Sequence, residues 1–104
     1  MKGQLPSPAQ IMDVLKNVSD PEIRMSIVDL GLVYRAEPKD DAIEVDFTLT
    51  YPGCPAEAAI RQDIIATLQD AFGVPKIKVT TVLTPPWGPE RMSEEARLTL
   101  GFPV

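Results

Sequence analysis

The chain has 104 residues, with no histidine and only one cysteine, Cys54. The absence of histidine excludes Ser-His-Asp and Cys-His catalytic pairs, imidazole metal ligands and an imidazole general base. With a single cysteine, the chain can neither close an internal disulfide nor complete four-thiolate ligation by itself. Any cluster or soft metal bound here must therefore share its ligands with another chain, a second copy or a small thiol.

Long apolar runs and basic clusters are also scarce. No run approaches the roughly 18 residues of a membrane span, and the N-terminal MKGQLPSPAQ lacks the apolar stretch of a signal peptide. The formal net charge is −5, from 10 Lys and Arg against 15 Asp and Glu. This balance argues against a nucleic-acid partner, because phosphate binding depends on clustered cations. We therefore expect a cytoplasmic protein with neither a membrane nor a nucleic-acid partner.

The hydrophobic pattern predicts one domain spanning residues 1–104. Ser7 and Gln10 form a capping-box pattern at the start of the first helix, and Gly73 is placed to cap the second helix in a left-handed conformation. In chain order we expect a helix from Pro8 to about Asn17, an irregular turn over 20–26, a hairpin over 32–49, a helix over 56–72, a strand over 76–83 and a short helix after Ser93.

This order of elements predicts the α+β class. Helices that cover one face of a small three- to four-stranded sheet form a two-layer sandwich. The alternation of apolar and polar residues over 43–49 is typical of a strand with one buried face.

Cys54 lies in the sequence Tyr51-Pro52-Gly53-Cys54-Pro55. With Pro55 as the first helical residue, the sulfur would face outward into the positive field of a helix N-terminus, which favours the thiolate. A thiolate is both a nucleophile and a ligand for soft metals. The alternative is a buried cysteine that packs as a small apolar side chain.

Three carboxylates are candidates for the lining of a site. Asp20 and Glu22 flank Pro21 after the first helix, and Asp29 lies within an apolar run where an unpartnered charge is costly. Each also has a structural interpretation: Asp20 as a turn former, Glu22 as solvated surface, and Asp29 as an acceptor for backbone N–H groups.

The Pro85-Pro86-Trp87-Gly88-Pro89 loop is rigid, so Trp87 could form either a fixed wall beside a site or a core edge. Thr48, Thr50 and Tyr51 end the strand that leads to Cys54, and they could hydrogen-bond near it. The threonines could equally be ordinary β-formers.

Together these segments resemble the iron–sulfur assembly domain shared by SufT and PaaD-like proteins. The resemblance is collinear over about residues 8–101. It is carried by Asp20-Pro21-Glu22, Ile27-Val28-Asp29-Leu30-Gly31-Leu32-Val33-Tyr34, Thr48-Leu49-Thr50-Tyr51-Pro52-Gly53-Cys54-Pro55, Pro85-Pro86-Trp87 and Met92-Ser93-Glu94-Glu95-Ala96-Arg97.

The resemblance implies a non-enzymatic factor that helps deliver clusters to apo-proteins, with a fold akin to the C-terminal domain of NifU-type scaffolds. It assigns the key cysteine to Cys54, as ligand to a transient iron–sulfur cluster or iron shared with a partner chain. The implied partners are apo iron–sulfur proteins and assembly machinery, and a homodimer is one candidate arrangement. One departure is the loop Arg24-Met25-Ser26, where the family often has Gly-Ile-Asn.

Two other classes of function remain open. In the first, the chain is an adaptor for a multicomponent oxygenase or other metalloenzyme, and the Trp87 loop and the Cys54 turn form a docking surface without binding a cluster. In the second, it is a thiol redox enzyme, although it lacks a resolving cysteine and a histidine base.

Overall fold

The computed structural model describes residues 5–51 and 53–101. The elements that follow one another along this part of the chain are α1 (Pro8–Leu15), β1 (Ser19–Asp20), β2 (Met25–Ser26), β3 (Val33–Lys39), β4 (Ala42–Phe47), α2 (Glu57–Phe72), β5 (Ile77–Thr81), a 3₁₀ turn (Pro89–Arg91) and α3 (Glu94–Leu100). This content confirms the predicted α+β class. None of the helices in these residues is long and apolar enough to cross a membrane.

The main sheet has three strands in the order β3-β4-β5. β3 and β4 form the predicted antiparallel hairpin, and β5 lies parallel to β4 after the α2 crossover. Ile43, Val45 and Phe47 of β4 are fully buried, whereas Glu44 and Asp46 between them point to the other face and are half-buried. One face of the sheet is therefore the core face, as expected for two layers.

The helices cover that core face through regularly spaced apolar residues. The α1 capping box is present, with Gln10 N–H donating to Ser7 Oγ and Ser7 N–H donating to Gln10 Oε1. α2 buries Ile60, Ile64 and Leu68, and Gly73 ends it with φ +66° as predicted.

The other face of the sheet is held by ion pairs. Arg35 on β3 bonds to Glu37 on its own strand, and to Glu44 and Asp46 across the hairpin. These hydrogen bonds, that to Asp46 foremost, raise the pKa of Arg35 above its usual range. The paired charges make this face of the hairpin largely polar.

Some boundaries differ from those predicted. Pro55 was expected as the first helical residue, but α2 begins at Glu57 with Ala56 as its N-cap. Glu57 N–H donates to the Cys54 carbonyl at 3.2 Å, so a separate turn precedes the helix. β4 ends at Phe47 because its partner β3 begins opposite, at Val33. The loop over 20–26 contains a short ladder, β1 with β2, that the sequence did not predict.

Gly31 ends a tight turn against which the C-terminal segment packs. Its φ is +75°, and a Cβ there would lie 2.1 Å from the Arg91 carbonyl oxygen. Ser93 N–H donates to the Asp29 carbonyl at 2.8 Å, and Trp87 Nε1 donates to the Leu30 carbonyl at 2.7 Å. Only glycine fits this junction, because both the backbone angle and the close approach exclude a side chain.

Gly31→Ala and Gly53→Ala form a matched pair. Gly53 has a similar φ of +78°, but a Cβ there meets no atom within 4 Å. We expect Gly53→Ala to cost about 1 kcal/mol, from backbone strain alone. Gly31→Ala should cost about 3 kcal/mol or more, because the Arg91 backbone must also move. Urea unfolding of both variants measures the difference, and equal losses would contradict the described packing.

Arg24 is the residue that ends the loop between β1 and β2. It is exposed and adopts φ +64°, in the left-handed region that side chains other than Gly and Asn rarely enter. Its N–H donates to the Asp20 carbonyl at 2.6 Å, which closes the loop. Arg24 thus has the conformation for which glycine would be the more stable choice.

We therefore predict that Arg24→Gly stabilises the protein by about 1 kcal/mol, because it removes this strain. For a domain of this length, that corresponds to a rise in Tm of roughly 4–8 °C. Thermal unfolding followed by circular dichroism tests the prediction, with Arg24→Lys as the variant that keeps both the strain and the charge. An unchanged or lower Tm for Arg24→Gly would show that the loop does not require a left-handed residue.

Candidate functional site

The first half of the site is the hairpin tip between β1 and β2. The Asp20 side chain is 2 % exposed, and its Oδ1 accepts N–H bonds from Glu22 at 2.8 Å and Ile23 at 3.3 Å. Asp20 is therefore the turn former that the sequence allowed, because its side chain satisfies donors of its own loop. This turn fixes the position of the exposed Glu22.

The second half is the turn between β4 and α2, which carries Cys54. The Cys54 sulfur donates to Glu22 Oε1 at 3.6 Å, and the Tyr51 hydroxyl donates to the same oxygen at 3.3 Å. Residues separated by 32 positions in the chain thus meet at one carboxylate oxygen. The sequence marked Tyr51 only as a residue able to hydrogen-bond near Cys54, since nothing in it reveals that the shared acceptor is Glu22.

The Cys54 side chain is 4 % exposed and packs with the hydrophobic core. The expectation of an outward-facing sulfur in the first turn of a helix is therefore wrong. The physical reason is the extra turn over 54–57, which directs the side chain to the core before α2 begins. Burial alone would suit the alternative of a small apolar cysteine, but the sulfur also contacts a carboxylate that reaches solvent.

Tyr51 lies at the mouth of the site and is 46 % exposed. Desolvation raises the pKa of this phenol, and the neighbouring Glu22 carboxylate raises it further. Because an ordinary tyrosine already titrates near pH 10, the hydroxyl stays protonated at neutral pH. It therefore acts as a hydrogen-bond donor that holds the Glu22 carboxylate beside the sulfur.

Asp29 and Trp87, two other predicted site residues, lie at the junction of the Gly31 turn with the C-terminal segment. Asp29 is half-buried, and its backbone carbonyl is the acceptor for Ser93. Trp87 is also half-buried, and its indole N–H donates to the Leu30 carbonyl. Among the described hydrogen bonds, none links Asp29 or Trp87 to Cys54, so the geometry favours the core-edge interpretation of Trp87.

The remaining predicted residues shape the strand and turn around Cys54. Thr48 is buried, and its N–H donates to the Leu32 carbonyl at 2.8 Å, while Thr50 is half-buried. Gly53 provides the positive φ just before Cys54. Pro52 lies outside the described residues.

The site offers a metal two donor groups at chelating distance. For an ion with tetrahedral ligands at about 2.3 Å to sulfur and 2.1 Å to oxygen, the two donor atoms are about 3.6 Å apart. Cys54 Sγ and Glu22 Oε1 are separated by 3.6 Å. Within residues 5–51 and 53–101, no group of three or more His, Cys, Asp or Glu could hold a metal. The arrangement is therefore at most half of a tetrahedral site.

Comparison with known proteins identifies the family. The profile of the family described as "Iron-sulfur cluster assembly protein" matches residues 8–83. The chain belongs to this family. The match covers α1 to β5 and includes Glu22 and the two residues that donate to it, Tyr51 and Cys54.

Individual relatives agree with this assignment. The "Fe-S protein maturation auxiliary factor" of Porphyromonas gingivalis is 40% identical over 93 residues, which cover 88% of this chain and 89% of the relative. The protein of Staphylococcus aureus named "Fe-S protein maturation auxiliary factor SufT" is 38% identical over 85 residues, with 81% and 97% covered. A crystal structure of a domain of unknown function from Bacillus anthracis superposes with a TM-score of 0.86 at 35% identity, covering 92% of both chains.

Proposed function

We propose that this chain is a non-enzymatic maturation factor that binds iron or an iron–sulfur cluster in transit at Cys54 and helps deliver it to apo-proteins. The observation that carries the proposal is the contact of the only cysteine with the Glu22 carboxylate at 3.6 Å. Family membership and the names of the relatives agree with it, since these name maturation factors and carriers.

In this proposal Cys54 supplies a thiolate and Glu22 supplies an oxygen to the same iron. Thiolate ligands favour iron–sulfur chemistry, whereas carboxylates are harder ligands that exchange readily. A site with one of each holds its cargo less firmly than four thiolates do. Such lability is what a carrier requires, because the cluster must leave for the target.

The missing ligands come from outside the chain. One thiol and one carboxylate leave two positions of a tetrahedral iron open. A second copy of this chain, an assembly protein, the apo-target or a small thiol supplies them in this proposal. Because Cys54 is 4 % exposed, the Tyr51 side chain at the mouth of the site must move aside when the second set of ligands arrives, while Glu22 stays beside the sulfur.

The adaptor hypothesis loses its proposed anchor. An anchor residue at an interface presents its ring to the partner. Trp87 instead packs against the core cluster and donates its indole N–H to the Leu30 carbonyl. A thiol redox enzyme has no support either, since the chain holds neither a second cysteine nor a histidine.

We predict that Cys54→Ser abolishes cluster binding, because it removes the only thiolate. Glu22→Gln should weaken iron binding roughly tenfold or more, because it replaces a charged ligand oxygen and even the loss of a ligand's hydrogen-bond partner costs about that much. Anaerobic reconstitution with iron and sulfide, followed by visible absorbance and by iron and mass determination, measures both effects. The mass of the loaded species also reveals whether a second copy completes the site.

Asp13→Asn is the matched control, since Asp13 is an exposed carboxylate on α1, outside the site. It should load iron as the wild-type protein does. If Cys54→Ser retains the absorbance and iron content of the wild type, the chain does not carry its cargo at Cys54. If Glu22→Gln and Asp13→Asn behave alike, Glu22 is not a ligand.

A further inference from the structure

We propose that Arg24, together with Tyr51, forms the docking surface through which a cluster-accepting protein reaches Cys54, and that the acceptor contributes a carboxylate-rich surface. This inference rests on the proposed function and adds to it the chemistry of the partner. Arg24 and Tyr51 come from the two turns whose side chains meet at Glu22.

The first observation is the conformation of Arg24. Its φ of +64° lies in the left-handed region that glycine adopts without strain. Left-handed residues other than Gly and Asn are costly, and such strain persists mainly where the side chain has a use. The intramolecular bond of this residue, from its N–H to the Asp20 carbonyl, would be made equally well by glycine. A use for the side chain must therefore be sought outside the loop.

The second observation is the charge of Arg24. It is an exposed cation in a chain of net charge −5, and it lies two residues from Glu22. Within residues 5–51 and 53–101, the described ion pairs engage Lys16, Arg35, Arg61 and Lys76 but not Arg24. An exposed guanidinium on the loop that carries Glu22 favours a partner that presents carboxylates, which arginine binds through two parallel hydrogen bonds.

The third observation is the exposure of Tyr51. Tyr51 is 46 % exposed, one of four large hydrophobic residues exposed within residues 5–51 and 53–101, the others being Leu83, Leu98 and Leu100. Tyr and Arg, with Trp, are enriched among the residues that dominate binding energy at protein interfaces. When an acceptor covers Tyr51, it also reaches the hydroxyl that holds Glu22 against Cys54. Docking of the acceptor at Tyr51 would therefore also break the hydrogen bond that holds Glu22 beside the Cys54 sulfur.

The test is cluster transfer from the reconstituted protein to an apo-ferredoxin with an acidic surface. The same apo-ferredoxin with its surface Asp and Glu changed to Asn and Gln serves as the second acceptor. The donor variants are Arg24→Gly, Arg24→Lys, Arg24→Glu and, as matched control, Lys39→Glu. Lys39 is an exposed cation at the β3–β4 turn, at the opposite end of β4 from the Cys54 turn.

At low salt we expect Arg24→Glu to slow transfer to the acidic acceptor roughly tenfold and Arg24→Gly roughly threefold. Arg24→Lys and Lys39→Glu should stay near the wild-type rate, and all differences should shrink at about 0.5 M salt. The decisive result is that Arg24→Gly becomes more heat-stable yet transfers more slowly. A purely structural role of Arg24 predicts that stability and transfer improve together.

Three results would overturn the docking proposal. One is that wild type transfers equally fast to the acidic and the neutralised acceptor. Another is that Arg24→Glu and Lys39→Glu slow transfer alike, which would reflect net charge alone. The third is that Arg24→Glu lowers the iron content before any acceptor is added, which would place the cation at the cluster. Iron content is measured first, because a wild-type protein that loads no iron would refute the proposed function separately. In that case, calorimetry of the unloaded chains with both acceptors decides the docking proposal.

Discussion

The site depends on one carboxylate oxygen of Glu22, which accepts hydrogen bonds from both Cys54 and Tyr51. It joins the loop after α1 to the turn before α2, and these two segments are brought together by no other described side-chain hydrogen bond. The Asp20 cap fixes the backbone of the first segment, and the turn over 54–57 buries the sulfur of the second. Without the Glu22 contact, Cys54 would be an ordinary buried cysteine of a small core.

Two further arrangements organise the described fold, the sheet packed by α2 and the junction around Gly31. The sheet carries the chain from β4 into the Cys54 turn, and α2 packs back over the sheet through fully buried isoleucine and leucine residues. At the junction, the C-terminal segment packs against Gly31 so closely that no side chain fits there. Asp29 and Trp87 contribute to that junction through hydrogen bonds from Ser93 N–H to the Asp29 carbonyl and from the Trp87 indole to the Leu30 carbonyl.

Much of this could be predicted from local patterns. The capping box of Ser7 and Gln10, the left-handed Gly73 and the hairpin of β3 and β4 follow from spacing, because each depends on residues that are close in the chain. Local patterns leave the burial of Cys54 open between two interpretations, since it depends on where α2 begins, and they favour the outward-facing one. The pairing of Glu22 with Tyr51 and Cys54 is a tertiary contact with no local signal. The resemblance marks Arg24 as a departure from the family loop, but its positive φ is visible only in the structure.

The central claim is that Cys54 and Glu22 bind the same iron. Iron K-edge X-ray absorption of the protein loaded anaerobically with one ferrous iron per chain, without sulfide, tests it most directly, since any sulfur neighbour must then come from the protein. The account predicts a first shell that contains sulfur from Cys54, one per bound chain, together with oxygen donors. The sulfur should vanish in Cys54→Ser, and the oxygen shell should change in Glu22→Gln. A wild-type shell of oxygen and nitrogen alone, identical in all three proteins, would contradict the account.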